Sequence, residues 1–448
     1  MGNRGGYRIR RDGRWLILAA LLLALAAPSA CNRVHKPPVP GAKSMPGRGP
    51  SRYSETDPAA LKIYDSERPC LTAGQMFRAD QALFEGYPRP DPERWLDAIN
   101  DALYARDADC GDDDFLLLVL STIQMESGVR ADPPLAEPDL EALFVRRKEQ
   151  LAGENLLAAS LLTASSLDGD LRRKLRQDTL RGRVRSERDL ARYMDGDLRP
   201  WLRDYLERNF LMPEGLAGKA EARWLPDPVK TIGPMQVNTL KAWRNAKARG
   251  EPIDSPEEMR RLLLTPDTAL ERGIDEGVAL LLKSYRAYRP VLSAEDAVFY
   301  AGADYNAGEF SCRNAAYQEM LAAISGRRLS LDGDLLLYRE GEPTEVPSRS
   351  ELAAREALPS IDPARIRKDL LLEKEPDFGE TATAQGICER YRQSTGKDCP
   401  AARVPAGADN PKADLKLGRA YTPENYARGL FAKYKRNRDR YVSSDFGL

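Results

Sequence analysis

Apolar residues in "DDDFLLLVLSTIQMESG", Asp112 to Gly128, recur at the 3.6-residue period of an α-helix. Phe115, Leu118, Val119, Thr122 and Ile123 fall on one face. Glu126, three residues past Ile123, lands on the same stripe. A carboxylate there must be paired or carry a raised pKa, because desolvation disfavours its charged form. That is one way to make a general acid. Gly128 is a helix stop, so Glu126 and Ser127 are predicted on the last turn, within reach of a pocket.

The same period runs through most of the chain from Ala59 onward. "DPERWLDAINDALYA" opens with an acid-proline start and aligns Trp95, Ala98, Ile99, Ala102 and Leu103. Residues 131–230 read as helical but more charged, and their alternating signs usually mark a solvated face. In "TIGPMQVNTLKAW" the Gly-Pro pair predicts a helix start, with Pro234 first and Met235 and Gln236 in the opening turn. "DEGVALLLKSYRAY" and "AEDAVFYAGADY" are amphipathic helices. In the second, Ala301, Gly302 and Ala303 allow close backbone approach, and Asn306 and Gly308 are stop signals. Beyond about Gly326 the chain turns mixed and charged, with a last basic segment, "YARGLFAKYKRNRDRY". There is no long alternating strand pattern, no internal repeat and no Gly-rich phosphate loop. The prediction is an all-α fold.

Composition agrees. Of 448 residues 42% are hydrophobic, enough for one large domain or two ordinary ones, and aromatics at 7% favour helix over sheet. Charges balance at 68 basic against 68 acidic, so nothing points to nucleic acid as a partner.

The first residues add a destination. "MGNRGGYRIRRDGR" carries five arginines and one acid, and an uncharged run of thirteen, "WLILAALLLALAA", leads to "PSAC". Residues 1–30 read as a secretory signal, too short for a membrane span. The Arg10-Arg11 pair hints at a twin-arginine route, though the residues after the pair match that signal poorly. Small residues before Cys31 resemble a bacterial lipoprotein processing site, with Pro28 where leucine is usual; ordinary cleavage near Ala30 is the alternative. Residues 31–58, rich in Pro, Gly and polar side chains, read as a flexible tether after the anchor. Of the remaining cysteines, Cys388 with Cys399 and then Cys70 with Cys110 are the most plausible bridges in an oxidising envelope, leaving Cys312 as a buried thiol.

The single histidine, His35, lies in the tether. Ser-His-Asp and Cys-His schemes are thereby excluded, and a histidine-ligated zinc is not expected. The chemistry must run on carboxylates, hydroxyls, amides or lysine, and neither metal nor cofactor is expected.

Three segments in order now resemble lytic transglycosylases of the soluble-lytic-transglycosylase type, relatives of goose-type lysozyme. They are Glu126-Ser127 at a helix end, "GPMQVN" from Gly233 to Asn238, and "DYNAG" from Asp304 to Gly308, with Gly277 matching the glycine of the helix before the last. Pro234 replaces the family's leucine, and Asp304 stands where alanine is usual. The resemblance implies a lysozyme-like domain over 59–330, interrupted by a helical insertion at 131–230. Residues 331–448 would be a mixed, mostly helical extension outside it. The whole layout also resembles an uncharacterised family of bacterial outer-membrane lipoproteins.

In such enzymes one glutamate protonates the bond after N-acetylmuramic acid, then deprotonates the sugar's own C6 hydroxyl to close a 1,6-anhydro ring. Carried over, the resemblance implies Glu126 as the catalytic group. Ser127, Met235 and Gln236 would contact substrate, and Tyr305 and Asn306 would orient Glu126 or the acetamido group. Asp304 is either a second carboxylate for lysozyme-like hydrolysis or, preferred, a helix-end acid in solvent. The implied partners are peptidoglycan glycan strands, the membrane through a lipid on Cys31, and an envelope protein on 131–230. The implied place is the cell envelope, at the outer membrane facing the periplasm. The competing reading is a catalytically inactive lipoprotein that keeps the fold to hold murein or a partner protein.

Overall fold

A computed structural model describes residues 70–134, 166–180, 184–210, 213, 215–218, 231–339, 342–406 and 422–443. The signal segment, Cys31, the tether and part of the 131–230 stretch lie outside the described residues. The described fold is predominantly helical, with strands confined to two short hairpins.

α1 (Ala73–Phe84), α2 (Pro92–Ala105) and α3 (Asp113–Glu126) come first. α4 (Ser166–Leu180), α5 (Glu187–Tyr193) and α6 (Arg199–Phe210) follow, the last two joined by a π-helical turn over Met194–Leu198. A hairpin then pairs β1 (Thr231–Ile232) antiparallel with β2 (Val237–Asn238). It leads into α7 (Thr239–Ala248), α8 (Pro256–Leu264), α9 (Ala269–Tyr288), α10 (Ala294–Ala307) and α11 (Ser311–Ser325). A second hairpin, β3 (Tyr338–Arg339) with β4 (Glu342–Pro343), precedes α12 (Arg349–Ala357), α13 (Pro363–Leu370), α14 (Ala382–Thr395) and α15 (Pro423–Ser443).

α3 is the axis of the main core. Every residue from Phe115 to Gln124 is buried, so the single stripe read in the sequence understates it: α1, α9, α10 and α15 surround the helix. Its start is pinned because Asp112, Asp113 and Asp114 accept hydroxyl hydrogen bonds from Tyr285, Tyr441 and Tyr434 in turn. Asp112 also caps the helix, accepting from the Phe115 amide at 3.1 Å.

α15 runs antiparallel along α3. Tyr441 and Tyr434 meet its first turn, Asn437 donates to Ser121 and Gln124, and Tyr426 meets Glu126 at its end. Tyr426, Leu430, Tyr434 and Tyr441 are all buried in this core. The backbones of α10 and α15 approach closely at Gly302, where an added Cβ would lie 2.4 Å from the Leu430 side chain.

The proposed boundary at 331 does not describe this arrangement. A second, smaller core forms around the far half of α11, where Met320 and Leu321 pack with Ala353, Ala354, Ile366, Leu370, Phe378, Ala384 and Ile387. The chain then returns to the first core through α15. Segment 331–448 is therefore divided between two cores, because the basic tail hides an apolar, tyrosine-rich stripe. Disulfides join Cys70 to Cys110 and Cys388 to Cys399, and Cys312 is a buried free thiol.

Candidate active site

α3 ends at Glu126, and Ser127 caps it, its amide donating to the Ile123 carbonyl at 3.1 Å. Gly128 and then Val129 turn the chain away with φ of 59° and 58°. A β-branched residue in the left-handed region is strained, and Val129 is fully buried there. Glu126 itself is partly buried, and its Oε1 accepts a hydrogen bond from the Tyr426 hydroxyl.

Residues Gly233 to Gln236 form the turn of the β1–β2 hairpin, not the first turn of a helix; α7 starts only after Asn238, whose side chain caps it. The helix start expected at Pro234 is thus corrected. Two-residue strands carry no readable alternation, and Gly-Pro suits a turn as well as a helix start. The turn closes through the Gln236 amide donating to the Gly233 carbonyl at 3.1 Å, with Gln236 held at φ 52°. The Gln236 side chain repeats that bond, its Nε2 donating to the same carbonyl at 2.9 Å. The turn docks on α9 at two glycines. A Cβ on Gly273 would come 2.6 Å from Pro234, and one on Gly277 would come 2.4 Å from the Met235 sulfur.

α10 supplies the third element. Tyr305, on its last turn, donates its hydroxyl to the Met235 carbonyl, so α10 and the hairpin meet directly. Burial first, and the nearby Glu126 carboxylate second, push the Tyr305 pKa well above that of an ordinary tyrosine. The three motifs separated in the sequence are therefore neighbours in space.

The individual placements differ from simple carry-over. Met235 is fully buried and supports the turn rather than facing a cleft. Ser127 is buried, its hydroxyl donating to the Ile123 carbonyl at 2.9 Å and accepting from the Arg130 amide at 3.3 Å. Asn306 is exposed beside Tyr305.

Asp304 is not a helix-end acid in solvent. It is buried at 2% exposure, accepting from the Cys312 amide at 2.7 Å and the Tyr288 hydroxyl at 2.8 Å. Burial raises its pKa to about 6 against those hydrogen bonds. It ties α10 to α11 and to α9, which makes it a structural acid.

Two residues escaped the sequence reading. Tyr426 takes the hydrogen bond to Glu126 that the resemblance implies for Tyr305; the spacing of Tyr426, Leu430, Tyr434 and Tyr441 was its available signal. Glu187 of α5, almost fully buried, accepts from the Gly233 amide at 3.3 Å, so the 131–230 stretch reaches the hairpin. No grouping of three or more His, Cys, Asp or Glu side chains able to hold a metal occurs among the described residues.

A family model described as "Protein of unknown function (DUF1615)" matches residues 89–438. The chain belongs to that family. It is similar to "Uncharacterized protein YaiW" of Escherichia coli (strain K12), 29% identical over 310 residues that cover 68% of this chain and 74% of the relative. No solved structure matches the chain. The family match takes in Glu126, the hairpin, Tyr305 and Tyr426 together, along with all of 131–230.

Proposed function

We propose that the protein is a murein lytic transglycosylase, cleaving between N-acetylmuramic acid and N-acetylglucosamine and leaving a 1,6-anhydro end. The observation that carries this reading is the meeting of a partly buried glutamate at a helix end with the hairpin turn and with Tyr305. Strained backbone at Val129 and Gln236 flanks the same place, as often happens at functional sites.

Glu126 would act twice. As an acid it gives its proton to the glycosidic oxygen while the bond to C1 breaks. As a carboxylate it then takes the proton of the C6 hydroxyl, whose oxygen closes on C1. The glutamate ends protonated again and no water is consumed, so one group of matched proton affinity serves both steps. The exposed Asn306 is the side chain offered to the sugar, while Gln236 and Tyr305 brace the turn beside it. The two disulfides suit an oxidising envelope, in keeping with export and a lipid on Cys31 at the outer membrane. The 131–230 stretch remains the proposed partner surface.

A second reading, a lipoprotein that binds murein without cutting it, is favoured by one feature. The hydroxyls of Ser127 and Tyr305, both expected near the sugar, are bonded to backbone carbonyls. Incubation of murein sacculi with the purified protein and with Glu126→Gln separates the readings. Muropeptides lighter by one water, from the wild type alone, are expected. Full-mass reducing ends would mean hydrolysis instead, and sacculus binding without any product would leave the silent lipoprotein.

A further inference from the structure

We propose that Lys433 and Tyr87 form a carboxylate-binding subsite beside the end of α3, which takes an anionic group of the peptide stem carried by a murein strand. The identity of the ligand rests on the murein reading; its charge follows from the two residues themselves.

α15 holds its cations in two ways. Arg428 pairs with Glu424, Lys435 and Arg438 with Glu295, and Arg440 with Glu85, all with exposed side chains, and Arg436 is exposed as well. Lys433 differs. It is half-buried and, among the described residues, pairs with no carboxylate; its ammonium donates to the Tyr87 hydroxyl and lies 5.1 Å from the centre of the Tyr87 ring. The acids on the neighbouring α1 side are already engaged, Asp80 by Arg89 and Glu85 by Arg440. A partly desolvated ammonium without a counter-charge is unfavourable, and an incoming anion offsets that cost.

An ammonium carries three N–H donors and no acceptor, and Tyr87 takes one of them. The Tyr87 hydroxyl, accepting that bond, keeps its own O–H to give. Two N–H groups and one O–H around a positive charge match the two oxygens of a carboxylate.

Position ties the pair to the candidate site. The Tyr87 ring packs on Gly128, two residues past Glu126, where an added Cβ would come 3.8 Å from it. Tyr426, which meets Glu126, precedes Lys433 by seven residues on the same helix, about 10 Å along its axis at 1.5 Å per residue. A strand seated on Glu126 thus meets Lys433 two helical turns away from the bond being cut, the reach of a peptide stem rather than of the reacting ring.

The test measures binding, with the full chain carrying Glu126→Gln so that nothing is cut. Sacculi are used intact, with their carboxylates converted to methylamides, and stripped of stems by an amidase. Lys433→Met is expected to weaken binding to intact sacculi by roughly tenfold, the usual worth of a hydrogen bond to a charged group. Blocked and stripped sacculi should bind the Lys433 chain as weakly as intact ones bind Lys433→Met. Lys435→Met, which removes an exposed charge two residues on, should bind as before, and Tyr87→Phe should lose less than Lys433→Met. If Lys433→Met does not fold, Tyr87→Phe and the blocked sacculi decide. Equal loss in Lys435→Met would make the effect the general field of α15, and undiminished binding to blocked sacculi would remove the carboxylate; either overturns the proposal. Retained binding to stripped glycan alone would assign the anion to the lactyl group on the sugar and overturn the stem. No binding to any sacculus removes murein as the ligand of site and subsite together, whereas tight binding indifferent to Lys433 leaves the site and removes the subsite alone.

Discussion

Two buried regions of this molecule set a glutamate beside a tyrosine, and they are built differently. In the smaller core Glu373 is fully buried; its Oε2 accepts from the amides of Leu335 at 2.6 Å and Leu336 at 3.1 Å, and the Tyr338 hydroxyl stands near it. Burial, the largest influence, raises its pKa to about 7. Around it Arg313 and Asn314 of α11 donate to the Glu373 carbonyl at 2.6 and 2.9 Å. Glu126 is only partly buried, ends a helix, and receives its hydroxyl from a residue 300 positions away. A carboxylate held by two backbone amides is a fixture of the packing between two segments, here 37 and 38 positions apart. One met by a distant side chain at a helix end can be retuned by moving that helix.

The sharpest way to break this contrast is to neutralise each acid. Glu126→Gln should lower murein turnover by roughly 10²–10⁴, the usual worth of general acid–base catalysis, with the unfolding midpoint in urea little changed. Equal loss of turnover and stability would make Glu126 a structural acid like Glu373. Glu373→Leu should do the reverse. It strips the acceptor from two buried amides, costing about 1–3 kcal/mol for each donor left unsatisfied, and leaves cleavage per folded molecule unchanged.

Asp304 sharpens the comparison through pH. Its folded pKa, about 6, lies above the ordinary 3.8, so the folded state binds the proton more tightly than the unfolded one. Stability from this group is fully present below 3.8 and is lost as pH rises to about 6. The loss is on the order of 3 kcal/mol at 1.36 kcal/mol per unit of pKa. Denaturation midpoints measured across that window should fall less steeply in Asp304→Asn than in wild type; identical slopes would exclude the raised pKa. The smallest effect is expected at Arg428, whose pair with Glu424 on α15 is exposed on both sides. Arg428→Ala should change stability by less than about 1 kcal/mol.

Helicity, the end of α3 and the close approach at Gly302 were legible because each rests on local period or a single small residue. The neighbourhood of Glu126, the hairpin and Tyr305 was legible only through the order of short motifs. Three things were hidden, each for a physical reason. The hairpin at Gly233 is shorter than any strand period can register. The burial of Asp304 depends on Tyr288 and Cys312, which reach it from other elements. The role of α15 was masked because its buried tyrosines alternate with lysines and arginines that lower the mean hydropathy of the segment.

The antiparallel pairing of α3 with α15 also sets an order of events in the life of a chain. Glu126 is synthesised some 300 residues before Tyr426, so a chain still emerging carries its acid without the hydroxyl that meets it. Contacts of such separation form late, after the entropy of the long loop between them has been overcome. The molecule therefore completes this corner last, and a chain cut between the two helices outside the loop closed by Cys388 and Cys399 loses the covalent tether that brings them together.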